Sequence, residues 1–154
     1  MDGLKFSLAV PHDKRTITRL LTACQLPYED IGVHIGNFIL AKNDKELVGV
    51  VGLQVQGRVG LLRSLAVAPK FRHRGVGSAL CGRILDFAVQ QGVEEFYLLT
   101  TTADRFFARL GFAKVARKDL PQAIKNTEEF SSLCPETAVC MAKNITKRKG
   151  AIVG

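Results

Sequence analysis

The amino-acid sequence predicts an α/β protein with one mixed sheet of six or seven strands and helices on both of its faces. Short apolar runs joined by turns fill the first half of the chain, as in antiparallel hairpins. The second half alternates strand-length runs with helical patterns, which is typical of βαβ units. With 154 residues and 47% hydrophobic content, the chain is long enough for one domain with a substantial core.

The predicted strands share short apolar runs that end at Gly, Pro, Asn or Asp. They are 6–10, 38–41, 47–55, 59–67, 96–100, 112–116 and 137–142. The predicted helices carry apolar residues at three- and four-residue spacing. They are 13–24, a short helix from Glu29, 76–91, 103–110 and a helical or turn-like segment over 121–133. Asn43-Asp44 and Gln56-Gly57 supply turns, and Gly92 ends the longest helix.

Residues 61–80 are predicted to form a strand, a basic loop and a helix, in this order; their sequence is LLRSLAVAPKFRHRGVGSAL. Pro69 cannot donate a backbone hydrogen bond, so the strand ends before it. Gly75 and Gly77 lack a Cβ atom and let a bulky anion approach the backbone. The free N–H groups and the positive dipole end of the following helix point at the same loop. This order predicts a loop that binds a diphosphate.

Two glycines at this spacing occur in the phosphate loops of several folds. A dinucleotide-binding fold has a third glycine three residues later, where this sequence has Leu80. The Gly-Lys-(Ser/Thr) of nucleotide-triphosphate loops is absent from the sequence. Both folds are therefore disfavoured, and an ordinary strand-to-helix turn capped by glycine is the structural alternative.

The loop resembles the acetyl-CoA loop of the GNAT N-acetyltransferases, V-x-P-x-x-(R/Q)-x-x-G-x-(G/A). Every position of that pattern is filled, by Val67, Pro69, Arg72, Gly75 and Gly77. A second family motif, A-x-x-F-(Y)-x-x-x-G-F, is matched at Ala103, Phe106, Gly111 and Phe112, with Phe107 in place of the frequent Tyr. The resemblance covers about 5–143. It implies one N-acetyltransferase domain over 1–143, and 144–154 is expected to be a basic, disordered tail.

The resemblance implies acetyl-CoA as co-substrate and no metal. The main chain and side chains of the loop would bind the pyrophosphate, namely Arg72, His73, Arg74, Gly75, Val76, Gly77 and Ser78. The peptide-like pantetheine arm would add as a strand along Leu65, Ala66 and Val67. An N–H of this run, assigned to Leu65, would polarise the thioester carbonyl. Phe106 and Phe107 would pack against the pantetheine.

An alkyl amine must lose a proton before it attacks, because it is mostly charged at neutral pH. By analogy with the family, Glu29, Asp30 and His34 lie on the substrate side, and Ser64 beside the thioester strand could hold a water. Glu29 and Ser64 are therefore catalytic candidates beside Leu65. Since Phe107 replaces the Tyr that helps the thiolate to leave in many relatives, Tyr97 could substitute only if it faces the cleft.

Several short segments resemble a subgroup that acts on free amino acids or their analogues. The subgroup includes the catalytic domains of N-acetylglutamate synthases and the acetyltransferases of arsenic-resistance operons, and the segments are LLRSLAV, TTADRFFARLGF, 26–30 and 134–138. An amino-acid carboxylate needs a cation, and Arg63, then Arg109 and Lys125, are the candidates. The alternatives are a protein or peptide amine as acceptor, a non-catalytic acyl-CoA sensor, and arsenic binding by Cys134 or Cys140.

The formal net charge of +8 suits capture of a polyanionic cofactor. No helix-turn-helix or aromatic stacking pattern indicates a nucleic-acid partner. No apolar run approaches the ~20 residues of a membrane span, and the first residues lack the order of a signal peptide. We therefore expect a cytoplasmic monomer or homodimer with no nucleic-acid or membrane partner. Reduced thiols are expected at positions 24, 81, 134 and 140, with a Cys134–Cys140 disulfide or a metal site as the alternative.

Overall fold

The computed structural model describes residues 3–133 and 135–144. Its strands in this part of the chain, β1 to β7, are Lys5–Leu8, Phe38–Lys42, Leu47–Gln56, Val59–Val67, Glu95–Thr100, Ala113–Lys114 and Val139–Asn144. They form one sheet in the order β1-β2-β3-β4-β5-β7-β6. The sheet contains parallel and antiparallel pairs, which confirms the predicted mixed architecture.

The helices α1 to α5 are Lys14–Ala23, Ile31–His34, Val76–Gln90, Asp104–Arg109 and Gln122–Lys125. Single 3-10 turns lie at Pro11–Asp13, Ile35–Asn37, Pro69–Phe71 and Arg117–Asp119, and a π-helical turn spans Glu129–Leu133. Within the described residues, none of these helices has the length and apolar character needed to cross a membrane.

Several element boundaries differ from the prediction; β7, for example, spans Val139–Asn144 and not 137–142. β1 ends at Leu8 rather than at residue 10, because the N–H of Val10 donates to the Asp13 carboxylate at 2.9 Å as the chain turns. The predicted strand 112–116 shortens to Ala113–Lys114. The segment 121–133 breaks after α5, where the Thr127 hydroxyl donates to the Ile124 carbonyl at 2.7 Å. Such side-chain hydrogen bonds compete with the helical ladder.

The chain divides into two compact units, and the first comprises Met1–Gln54 and Leu62–Phe87. In it, β2 pairs antiparallel with both β1 and β3. The predicted apolar stripe of α1 is buried, with Ile17 and Leu21 fully covered. These side chains belong to the same core cluster as Ile31 of α2 and Phe38 of β2, so this cluster fixes α1 and α2 against β2.

The second unit comprises Val55–Leu61 and Ala88–Gly154, of which the last described residue is Asn144. Its parallel pair joins Val59–Leu61 of β4 to Glu95–Tyr97 of β5. β7 pairs antiparallel with β5 and with β6, and a buried cluster contains Leu61, Leu120, Ile124 and Cys140. Apart from Asn144, the tail predicted over 144–154 lies outside the described residues.

Gly52 of β3 faces Phe38 of β2 across the antiparallel pair, and the lack of a side chain makes room for the ring. A Cβ atom at Gly52 would lie 2.5 Å from Cζ of Phe38, which is fully buried. We expect Gly52→Ala to lower the free energy of unfolding by about 1–3 kcal/mol through overpacking. Urea titration measures this loss. Gly36→Ala is the matched control, because its Cβ would meet nothing within 4 Å; an equal loss there would contradict the explanation.

Candidate active site

The loop before α3 carries a run of backbone N–H groups that could bind an anion. His73 and Gly75 have φ angles of 66° and 84°, in the left-handed region, and α3 begins at Val76. From His73 to Ser78, the backbone N–H groups donate no hydrogen bond to residues 3–133 or 135–144. Successive N–H groups in such a conformation form an anion-binding concavity, and the dipole of a helix N-terminus favours negative charge at the same place.

The Arg72 side chain folds back toward the strand that precedes the loop. Its Nε donates to the Val67 carbonyl at 3.1 Å, and its Nη2 lies 3.3 Å from Sγ of Cys24. The loop is therefore tied to the end of β4 and to the residue that follows α1. The neighbouring Arg74 guanidinium lies 5.8 Å from the centre of the Phe71 ring. In this arrangement the main chain has N–H donors available for an anion, and Arg72 holds the loop that carries them.

The backbone conformation of β4 is interrupted at Ser64. Its parallel pairing with β5 covers Val59–Leu61, and Ser64 has a φ of 57°, which is uncommon for a residue other than glycine. An isolated left-handed residue within a strand bends the strand and interrupts its ladder. Leu65, Ala66 and Val67 follow this bend, lie beyond the residues paired with β5 and end β4 shortly before the loop that leads into α3.

A buried ion pair joins β4 to the residue before α2. Nη1 of Arg63 donates to Oδ2 of Asp30 at 2.6 Å, and Nη2 donates to Oδ1 of the same carboxylate. The two side chains are 0% and 5% exposed. Nε of Arg63 also donates to Oγ of Ser64 at 3.2 Å, and Nη1 lies 3.4 Å from Oε1 of Gln54. The pair therefore connects β3, β4 and the start of α2 inside the first unit.

Charge keeps the Asp30 carboxyl ionised in spite of its burial. Desolvation by itself raises the pKa of Asp30, but the hydrogen bonds and charge of Arg63, together with the charge of His34, outweigh it and lower the pKa below its usual value. Nε2 of His34 lies 3.7 Å from Oδ2 of Asp30, and the His34 side chain is 21% exposed. Asp30 is thus a carboxylate shared between a buried guanidinium and a half-buried imidazole.

A family model described as the acetyltransferase (GNAT) family matches residues 11–112, which is more than half of the chain and includes the loop and the ion pair. The chain belongs to this family. The predicted family and the predicted enzyme class, an N-acetyltransferase, are confirmed by this match.

Curated relatives of this GNAT chain include two kinds of acetyltransferase. An uncharacterised N-acetyltransferase of Chlorobaculum tepidum is 28% identical over 113 residues, which cover 73% of this chain and 70% of the relative. The amino-acid acetyltransferase of Neisseria meningitidis serogroup A is 30% identical over 91 residues, which cover 58% of this chain and 21% of the relative. The chain therefore spans only about a fifth of the amino-acid acetyltransferase.

Solved structures share the fold. The N-acetylglutamate synthase of Neisseria gonorrhoeae, in complex with coenzyme A and L-arginine, matches with a TM-score of 0.79 at 22% identity over 94% of this chain and 34% of that one. A Mycobacterium tuberculosis protein in complex with CoA matches with a TM-score of 0.77 at 20% identity over 91% and 98% of the two chains. These matches confirm the expected GNAT fold.

The second GNAT motif lies on and after α4, in the second unit. Phe107 is 5% exposed and packs edge to face against Phe106 and Phe112, with ring centres 5.1 and 5.8 Å away. The side chain of Arg109, on the same helix, is exposed. The assignments of Phe106 and Phe107 to the pantetheine and of Arg109 to a substrate carboxylate stay predictions.

Tyr97 of β5 is poorly suited to the role of the family's frequent Tyr, whose motif position is occupied here by Phe107. Its hydroxyl donates to the Glu95 carboxylate at 2.7 Å. Desolvation, together with this bond and the charge of Glu95, raises the pKa of Tyr97 to about 12. A hydroxyl with this pKa is a weaker acid than an ordinary tyrosine and gives little help to a departing thiolate.

The thiols within the described residues are free at Cys24, Cys81 and Cys140. Burial raises the pKa of the Cys81 thiol to about 12, so this side chain behaves as an inert core residue. No group of three or more His, Cys, Asp or Glu that could hold a metal occurs among residues 3–133 and 135–144. Cys134, one partner of the alternative disulfide, lies outside these residues.

Other predicted side chains have partners inside the chain. Glu29 is exposed, and its Oε1 accepts the Tyr28 N–H at 2.9 Å. Nζ of Lys125 donates to the Lys118 carbonyl at 3.0 Å. Sequence reasoning did not identify the pairing of Asp30 with Arg63. The sequence feature that could have indicated the pairing is Arg63 within the otherwise apolar strand LLRSLAV, because a charged residue is almost never fully buried without a partner.

Proposed function

We propose that this protein transfers the acetyl group of acetyl-CoA to the amino group of a small amino acid or amino-acid analogue. The observation that carries the proposal is the run of N–H groups from His73 to Ser78 that find no acceptor in the described chain, at the start of α3. A diphosphate offers the acceptors and the charge that this run lacks. The adjoining edge at Leu65–Val67 would bind the pantetheine arm by main-chain hydrogen bonds.

The chemistry that these residues would assist is an attack on a thioester. The lone pair of the neutral amine forms a C–N bond to the carbonyl carbon, and the carbonyl oxygen gains negative charge. The N–H of Leu65 would stabilise this oxyanion. Collapse breaks the C–S bond and releases coenzyme A as a thiolate. The amine nitrogen, which becomes positively charged on attack, loses one proton as the amide forms, and the thiolate gains one proton to give the free thiol.

The acceptor class rests on the relatives and on the charge of the chain. The amino-acid acetyltransferases of Neisseria meningitidis and Salmonella typhi are 30% and 27% identical to this chain over the residues that match. Arg63, the first candidate for an acceptor carboxylate, would have to release Asp30 to bind it; Arg109, the second candidate, has an exposed side chain. The connection to arsenic resistance and the cytoplasmic location belong to the same proposal and rest on the sequence alone.

A sensor that binds acyl-CoA without turnover is the second candidate. The observation that favours it is Phe107, which is buried in an aromatic cluster on α4. With Phe107 at this position, the helix lacks the hydroxyl that aids the leaving group in many relatives. A peptide acceptor would require an open groove instead of a carboxylate ligand. Arsenite binding by thiols would require Cys140, which is 4% exposed.

We expect the purified protein to bind acetyl-CoA in calorimetry and to release free thiol only when an amino acid from a defined panel is added. Thiol release can be followed with a chromogenic disulfide, and the acetylated product by mass spectrometry. Binding without turnover over the amino-acid and peptide panels would favour the sensor. Absence of binding at millimolar acetyl-CoA would contradict both candidates.

A further inference from the structure

The outer face of α1 carries positive charge that the chain does not neutralise. The sequence of the helix, KRTITRLLTA, contains three cations and no Asp or Glu. Arg15 and Arg19 are exposed, and the helical period places them on the side opposite the buried residues Ile17, Leu20 and Leu21. Within residues 3–133 and 135–144, neither arginine forms an ion pair.

An open groove of about 790 Å³, here called the basic groove, lies along this face. Its charged and titratable lining residues are His12, Lys14, Arg15 and Arg19. The carboxylate of Asp13, in the turn before the helix, is already engaged. It accepts the Val10 N–H at 2.9 Å and lies 3.4 Å from Nζ of Lys42. The groove therefore offers cations to an external anion.

The positions of the two arginines oppose the stability of their own helix. Arg15 is the second residue of α1, where the positive end of the helix dipole disfavours a cation. Arg15 and Arg19 are four positions apart, so they are neighbours on the helix surface and repel each other. A local arrangement that works against its own element is typical of residues that serve function. An anionic partner would remove both unfavourable effects.

We propose that the basic groove is a docking surface for an acidic, extended segment of a partner protein. This inference goes beyond the proposed acetyl transfer and does not depend on it. Arg15 and Arg19 are separated by about 6 Å along the helix axis. Alternate residues of an extended chain point to the same side and are about 7 Å apart. Two carboxylates at alternate positions of the partner can therefore each bind one guanidinium.

The surroundings of the groove favour a peptide over a nucleic acid or a membrane. Leu8 and Val10 are 49% and 54% exposed, and they lie just before Pro11, which lines the groove. An apolar side chain of a peptide can cover them, whereas a phosphate backbone cannot. In the described lining there is no Phe, Tyr or Trp on which a base could stack. A helix that binds a bilayer inserts its apolar face, and the apolar face of α1 is buried in the core.

The test is fluorescence anisotropy with a labelled peptide that has glutamate at alternate positions and leucine at one end. We expect the wild type to bind it, more weakly as salt rises, and not to bind the same peptide with glutamine for glutamate. Arg15→Glu combined with Arg19→Gln should weaken binding at least about tenfold. The matched control combines Lys45→Glu with Arg105→Gln. It changes the net charge equally, at exposed residues between β2 and β3 and on α4, and should bind as the wild type does.

Two further measurements exclude damage to the fold. The Arg15→Glu, Arg19→Gln variant should melt at the same or a higher temperature than the wild type, because it adds an anion to the first turn and removes the like-charge pair. Its affinity for acetyl-CoA should be unchanged. A much lower melting temperature would show that the arginines serve the fold, and would overturn the proposal.

Three binding results would also overturn it. The first is a wild type that does not bind the acidic peptide, and the second is an equal loss of binding in both double variants, which would reflect net charge alone. The third is tighter binding, dependent on Arg15 and Arg19, to single-stranded oligothymidylate or to phosphatidylserine vesicles, which would assign the groove to a nucleic acid or a membrane. Binding and turnover of acetyl-CoA are measured separately, so the proposed acetyl transfer stands or fails independently.

Discussion

Asp30→Asn is expected to lower the free energy of unfolding by about 3–5 kcal/mol, the cost of removing one partner of a buried ion pair. The amide is as large as the carboxylate but carries no charge, so the Arg63 guanidinium, 0% exposed, loses the anion that offsets its desolvation. The bidentate geometry makes this pair more costly to break than a single contact. Chemical denaturation of the two proteins at neutral pH measures the difference.

Two comparisons show whether charge is the cause. Glu46→Gln removes the anion of a surface ion pair, in which Nζ of Lys70 lies 2.9 Å from Oε2 of Glu46 and the two side chains are 65% and 39% exposed. This change should lower the free energy of unfolding by no more than about 1 kcal/mol. Combining Asp30→Asn with Arg63→Met removes both charges, and this double variant should recover a large part of the loss. If it is instead as unstable as the sum of both single changes, the pair stabilises the fold through packing and not through charge.

Acid should reduce the difference between the wild type and Asp30→Asn. The pKa of Asp30 is lower in the folded state than its ordinary value. Its contribution to stability is therefore fully present above the carboxyl pKa of the unfolded chain, and it is lost as the pH falls through the lower folded-state value. The measured gap should be constant near neutral pH and should narrow only in that acidic range. A gap that widens on acidification would contradict the sign.

The parts of the molecule encoded by neighbouring residues were predictable from the sequence. Pro69, Gly75 and Gly77 lie within a few positions of one another, and each acts on the local backbone, so the end of β4 and the start of α3 at Val76 follow from them. The Asp30–Arg63 pair is different. Its members are 33 positions apart, and no spacing rule links a residue before a short helix to one inside a strand.

The role expected of Arg63 shows the same limit. An arginine in this strand was predicted to bind a substrate carboxylate, and the structure shows it bound to the carboxylate of Asp30. The chemistry of the side chain favours a carboxylate in both cases, but the sequence does not indicate whether that carboxylate comes from the chain or from a ligand. The short π-helical turn at Glu129–Leu133 was also beyond prediction, because it depends on the Thr127 hydrogen bonds more than on periodicity.

Gly77→Asp is expected to weaken acetyl-CoA binding by about 100-fold, or about 2.7 kcal/mol. Gly77 is the second residue of α3 and lies within the run of N–H groups that would bind the diphosphate. A carboxylate there would compete for the same donors and repel the phosphates. Since Asp is favourable in the first turn of a helix and Gly is not, the variant should unfold at the same or a higher temperature than the wild type. Affinity and stability would thus change in opposite directions.

Gly82→Asp is the matched control for this change. It adds the same charge to the same helix, at an exposed position where a Cβ meets nothing within 4 Å. Calorimetry should give it nearly the wild-type affinity for acetyl-CoA, apart from the small screened effect of one surface charge. S-acetylpantetheine, which lacks the diphosphate, should bind to both variants and to the wild type equally. Because S-acetylpantetheine retains the thioester arm, a loss of its binding in Gly77→Asp would mean that the substitution damages the β4 edge. If Gly77→Asp binds acetyl-CoA as tightly as the wild type does, the diphosphate binds elsewhere.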